Sequence, residues 1–115
     1  MNAGRTITLA TTDRGMVRIP EPGWCRGHEG EPPQRFTDLT HHSIPARAAG
    51  ILTVHLSQAP YLVGSPERQP IVSVVLDYHQ DLRAEQMPEL YEALRSVQRV
   101  LSFAAAEAIR LRGEL

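Results

Sequence analysis

Lysine is missing from this chain: all 12 of its basic residues are arginine. That excludes Schiff-base chemistry, the phosphate-cradling loop that depends on a lysine, and a buried catalytic amine. A single cysteine excludes an internal disulfide framework. Aromatics are scarce, with 1 Trp, 3 Tyr and 2 Phe, so the core must rest on Leu, Val, Ile and Ala. No apolar run approaches the ~18–20 residues that span a bilayer, so no membrane segment is expected. The first residues lack the apolar run of a secretory signal, and a cytoplasmic location is the expectation. A large basic excess is also lacking: the 12 arginines face 13 acidic residues, which argues against a nucleic-acid binder. The 115 residues fit one domain, residues 1–115.

What is present falls into four stretches. Residues 5–19 read as a β-hairpin. Arg5-Thr6-Ile7-Thr8-Leu9 alternates polar and apolar, Thr12-Asp13-Arg14-Gly15 turns, and Met16-Val17-Arg18-Ile19 alternates back. Residues 20–50 form an insert in which Pro20, Pro22, Pro32, Pro33 and Pro45 break any regular element. Loops of this length are uncommon in a compact domain unless something holds them. Residues 51–57 read as a strand with Leu52, Val54 and Leu56 on one face, and 71–78 as a second, central strand with apolar side chains on both faces. From residue 84 to 112 the spacing of Leu90, Leu94, Val97, Leu101, Ala104, Ala108 and Leu111 lays one stripe along a helix. Pro88 belongs in its first turn, and Gly113 is a natural stop. The class is therefore α+β: a small antiparallel sheet of three to four strands, with one long C-terminal helix on a face and a Pro/Gly-rich insert at about 20–50.

The insert concentrates the chemistry. It holds the only tryptophan, Trp24, the only cysteine, Cys25, and His28, His41 and His42. Cys25 and His28 are spaced so that one tight turn can aim a thiolate and an imidazole at one ion. Twelve residues then separate His28 from His41, giving Cys-x2-His-x12-His, close to zinc-finger spacing. Neighbours in an extended segment point apart, so His41 and His42 do not both bind, and the pattern leaves the choice open. A fourth ligand is available from Asp38, Glu21, His55 or water. A structural ion would keep the insert ordered. The bland reading stands beside it: a lone cysteine is commonly a small buried hydrophobe, and loop histidines are commonly solvated. Cys25 and His28 as nucleophile and base is a weaker reading, because an i, i+3 pair in a turn seldom aims both groups inward. No catalytic residue is assigned. Trp24 is either packing over the site or an anchor for a protein partner.

The series Trp24-Cys25-x2-His28, Asp38-x2-His41-His42, Thr53-Val54-His55-Leu56-Ser57 and Gly64-Ser65-Pro66-Glu67-Arg68, ending in an Ala-rich helix, resembles a known family. It looks like a family of small actinobacterial proteins, common in streptomycetes, classed as a domain of unknown function. The likeness spans roughly residues 20–112. A GC-rich genome fits the exclusive use of arginine. Members of that family often carry a cysteine where this chain has Glu21, so the family-type ligand set is incomplete here. The resemblance implies a host range and metal binding, with no activity to carry over.

Three functions are compatible with these residues. The first is a non-enzymatic interaction or regulatory module stabilised by zinc. The second is a small zinc-dependent hydrolase or ligand-binding protein with an open metal position. The third is a metal-free partner subunit whose insert folds on binding. The small residues at Ala104, Ala105, Ala106 and Ala108 would also let the helix seat a second copy as a homodimer.

Overall fold

Strand β1 (Arg5–Thr11) and strand β2 (Gly15–Glu21) form an antiparallel hairpin in the computed structural model, which describes residues 4–113. Thr11 organises its turn: the hydroxyl donates to the Gly15 carbonyl at 2.7 Å and accepts the Arg14 N–H at 2.9 Å. Gly15 sits at φ 64°, where a Cβ would be strained. The ladder runs past the alternating residues, to Thr11 on one strand and Glu21 on the other. Backbone pairing continues where side-chain pattern has stopped.

The hairpin does not join the main sheet. That sheet has four strands: β3 (His41–His42), β4 (Ala46–Ala48), β5 (Leu52–Gln58) and β6 (Ile71–Leu76). Strand β5 is at its centre, with β3 and β4 along one side and β6 along the other, all antiparallel. The central position expected for 71–78 is therefore corrected: β6 lies at an edge and ends at Leu76. Its Val74, Val75 and Leu76 are 48, 60 and 63% exposed. An apolar run on both faces signals burial on both faces only when the sheet continues on both sides, and here it does not.

The insert is also more regular than its prolines suggest. It contains a single 3-10 turn, Phe36–Asp38, and both short strands β3 and β4. Strand β4 turns into β5 through Ala49 at φ 56° and Gly50 at φ 69°. Two successive positive φ values are those of a type I′ hairpin, in which Ala49 is an unfavourable residue.

Helix α1 (Met87–Arg112) follows a 3-10 turn at Ala84–Gln86. Pro88 sits in the first helical turn, where its missing N–H leaves no hydrogen bond unmade. The bend that a proline would impose on a helix from 84 is taken up by the 3-10 turn. Gly113 ends the helix at φ −69°, its N–H donating to the Ile109 carbonyl, so the stop does not use left-handed backbone. Val97, Ala104, Ala108 and Leu111 are buried on the face of the sheet that carries Leu52, Val54 and Leu56. Earlier in the stripe, Leu94 is 48% exposed. Trp24, from the insert, packs on Leu56, Ala108 and Leu111 at the far end of the helix. The core thus runs along β5 and finishes against the insert. Among the described residues no helix is long and apolar enough to cross a membrane.

Candidate metal centre

Two tight turns place the first two site residues. The Cys25 N–H donates to the Pro22 carbonyl at 3.0 Å, closing a turn that follows directly from β2. Gly27, at φ 100°, then turns the chain so that its N–H points at Cys25 Sγ, 3.5 Å away. A second turn, with the Glu31 N–H on the His28 carbonyl at 3.2 Å, folds Glu31 back onto the His28 ring. The Arg26 N–H donates to the His42 carbonyl at 2.8 Å and stitches this segment to β3. Because β3 is extended, His41 and His42 leave it on opposite sides.

His41 turns toward the cysteine. Cys25 Sγ lies 3.6 Å from His28 Nε2, and His28 Nε2 lies 3.3 Å from His41 Nδ1. One ligand atom from each of Cys25, His28 and His41 falls within 4.8 Å of the others, a group able to hold a metal ion. Glu31 fixes the chemistry of His28. Its Oε2 is 3.0 Å from Nδ1, so that nitrogen carries a hydrogen, and in the neutral ring Nε2 presents a lone pair to the cluster. Glu21, the last residue of β2, completes the surroundings. It is 2% exposed, and its Oε2 accepts from Arg5 Nε at 2.7 Å. Its Oε1 is buried with no hydrogen-bond partner, 3.7 Å from His28 Nε2.

The electrostatics suit a cation. Burial holds His41 neutral, with its pKa lowered to about 4, and the neighbouring His28 adds to the shift. A neutral imidazole is the form that ligates. Burial pushes the Cys25 thiol up, and Glu21 pushes the same way, so the thiolate needs a positive charge to form. Burial also opposes ionisation of Glu21. The Arg5 hydrogen bond and charge, with the nearby Cys25 and His28, outweigh it and hold the carboxyl below its usual range.

The other candidates from the sequence lie elsewhere. His42 Nδ1 meets His55 Nε2 at 3.2 Å on the opposite side of β3. Burial and then the His55 charge lower the His42 pKa. Asp38 is exposed in its 3-10 turn, its carbonyl accepting from Thr40. Trp24 is half-buried, edge-on to the His41 ring at 6.4 Å, and so bridges the site and the helix–sheet core. Sequence reasoning missed Glu31 and Arg5. An acidic residue three positions after His28 is a readable signal for the first. The Arg5–Glu21 pairing follows only from the hairpin register.

A cleft of about 560 Å³ lies between the hairpin and the insert. Glu21 and His28 line it, with Arg5, Arg26 and Glu29 among its charged neighbours, whereas Cys25 and His41 do not.

The chain belongs to the family described as domain of unknown function DUF6907, whose model matches residues 6–110. Comparison with curated proteins and with solved structures gave no match.

Proposed function

We propose that this member of a family without assigned function is a small non-enzymatic interaction or regulatory module whose 20–50 insert is held by a metal ion. The observation that carries the reading is the convergence of Cys25, His28 and His41, with Glu31 setting the His28 tautomer. One thiolate and two imidazoles favour zinc over the hard, oxygen-loving cations. Metal content of the untagged protein by elemental mass spectrometry tests it, with Cys25→Ser alongside. One zinc per chain, lost in the variant, is the expected result. No metal in either protein removes the reading.

A second reading is a zinc-dependent hydrolase or ligand-binding protein, and the cleft beside Glu21 and His28 favours it. There the ion would keep one position for water and lower its pKa toward ~7. Turnover of ester, amide or phosphoester probes that depends on zinc would support it.

The remaining parts of the proposal concern context. The host is an actinobacterium, on the Arg-only composition and the order of the insert motifs, and the location is the cytoplasm, where Cys25 stays reduced. Trp24, half-buried, is the residue of the insert that would anchor a protein partner. A second copy would use Tyr91, Phe103 and Ile109, with Leu94 from the exposed start of the stripe, rather than the part of the stripe already packed on the sheet. Sedimentation at two concentrations tests that homodimer.

A further inference from the structure

We infer that Glu21 is the fourth ligand of a closed, four-coordinate zinc site with Cys25, His28 and His41, and that the ion staples the β1–β2 hairpin to the four-stranded sheet. The inference rests on the metal reading above and goes beyond it in coordination and in purpose.

The first support is the orphaned oxygen. Glu21 is almost wholly buried, Arg5 satisfies one carboxylate oxygen, and Oε1 has no hydrogen-bond donor. A buried anionic oxygen left unpaired is costly and needs a cause. Glu31 engages the Nδ1–H of His28, and Nε2, 3.7 Å from Oε1, makes no hydrogen bond to it; in the neutral ring Nε2 offers a lone pair instead. A cation between Oε1 and Nε2 satisfies both.

The second support is the spacing. Zinc bonds of ~2.3 Å to sulfur and ~2.0–2.1 Å to nitrogen or oxygen give a tetrahedron with edges of about 3.5 Å from S to N and about 3.4 Å between N or O atoms. Three of the six edges are matched: 3.6 Å from Cys25 Sγ to His28 Nε2, 3.3 Å from His28 Nε2 to His41 Nδ1, and 3.7 Å from Glu21 Oε1 to His28 Nε2. The ligand atoms mutually within 4.8 Å are those of Cys25, His28 and His41, so Glu21 meets the group through His28 and turns Oε1 further inward to join it on binding.

Charge closes the account. A dication, one carboxylate, one thiolate and two neutral imidazoles sum to zero, which suits a buried centre. On binding, the Cys25 S–H bond breaks, the proton leaves to solvent and the sulfur electron pair forms the bond to zinc. The Gly27 N–H aimed at Sγ stabilises that thiolate.

The site is closed toward the cleft. Of the four ligands, Glu21 and His28 line the cleft and Cys25 and His41 do not, so an ion with all four positions filled leaves none for a cleft water. Its purpose follows from topology. The hairpin and the four-stranded sheet share no strand pairing. Glu21 ends β2, His41 opens β3, and Cys25 and His28 sit on the turn between. Four bonds to one ion join all three segments.

Cobalt substitution of the full chain tests this, using wild type, Glu21→Gln and Glu21→Cys. Wild type should take up one Co²⁺, with the visible bands of a tetrahedral ion and a sulfur-to-cobalt charge-transfer band, and added azide should leave the spectrum unchanged. Glu21→Gln should bind at least ~10-fold more weakly and shift its spectrum with azide. Glu21→Cys should restore azide resistance with a stronger charge-transfer band. On chelation, hydrogen exchange should rise in the hairpin and the turn while β5 and α1 stay protected. A wild-type spectrum that responds to azide, or a Glu21→Gln protein matching wild type, overturns Glu21 as ligand and leaves the open-site reading. Chelation without effect on the hairpin overturns the staple. No cobalt or zinc binding by wild type overturns the underlying metal reading. If Glu21→Gln fails to fold, the azide titration of wild type and the Glu21→Cys spectrum still decide.

Discussion

The two halves of this molecule are held by different forces. Where α1 crosses β5, the buried residues are Leu52, Val54, Leu56, Val97, Ala104, Ala108 and Leu111, and water is excluded by apolar area alone. In the insert the buried groups include Glu21 and His41, with Leu39 as a buried apolar side chain, while Ala48, at its end, is buried in the core with Leu52 and Val97. The first half is stabilised by packing that any mixture of aliphatic residues of similar volume would supply. The second half has buried charge and imidazole in place of a core, and such groups are costly unless something satisfies them. The difference teaches where to look for function: the half that folds without the usual driving force is the half whose residues have another task.

Removing the metal should break the comparison most sharply. Chelation, or Cys25→Ser, should cost on the order of 4 kcal/mol when the ion is present at ~1,000 times its Kd. Hydrogen exchange should show protection lost in the β1–β2 hairpin and through residue 42 and kept in β5 and α1. Leu52→Ala should do the reverse. It should cost ~2–5 kcal/mol in equilibrium unfolding, because Leu52 is 2% exposed and its removal leaves a cavity, while zinc content stays unchanged.

A pH series sharpens the contrast. In the metal-free chain, His41 has a folded pKa of about 4, against ~6.5 when unfolded. The unfolded state therefore binds more protons between these values, and stability falls as pH drops from ~6.5 toward about 4. Loss of the Glu21 charge, with its lowered pKa, adds to the fall at the acid end. Urea midpoints of chelated protein across that range should decline, and His41→Phe should flatten the decline. The smallest effect is a control at the turn between β4 and β5, away from the metal ligands. Ala49→Gly should stabilise by ~1 kcal/mol, since Ala49 pays for a positive φ that glycine adopts freely, and it should leave metal binding untouched.

Much of the fold was readable because its signals are periodic. The hairpin, strand β5 and helix α1 each follow from apolar spacing, and Pro88 and Gly113 bound the helix. Strand β6 was legible as a strand and misplaced within the sheet, because side-chain pattern reports burial and not the neighbour on each edge. Strands β3 and β4 were invisible: two and three residues long, they exist through pairing with β5, a long-range fact. Cys25, His28 and His41 were legible as candidates from spacing. The choice of His41 over His42 was not, since it depends on which face of β3 meets the turn. Glu21 could be named but not ranked, because its burial and its unpaired oxygen arise only once the hairpin and the insert come together.

The most direct test is X-ray absorption at the zinc edge of protein purified without a tag. The account predicts one sulfur at ~2.3 Å and three nitrogen or oxygen ligands at ~2.0–2.1 Å. A shell of six oxygens, or no zinc edge at all, would contradict it.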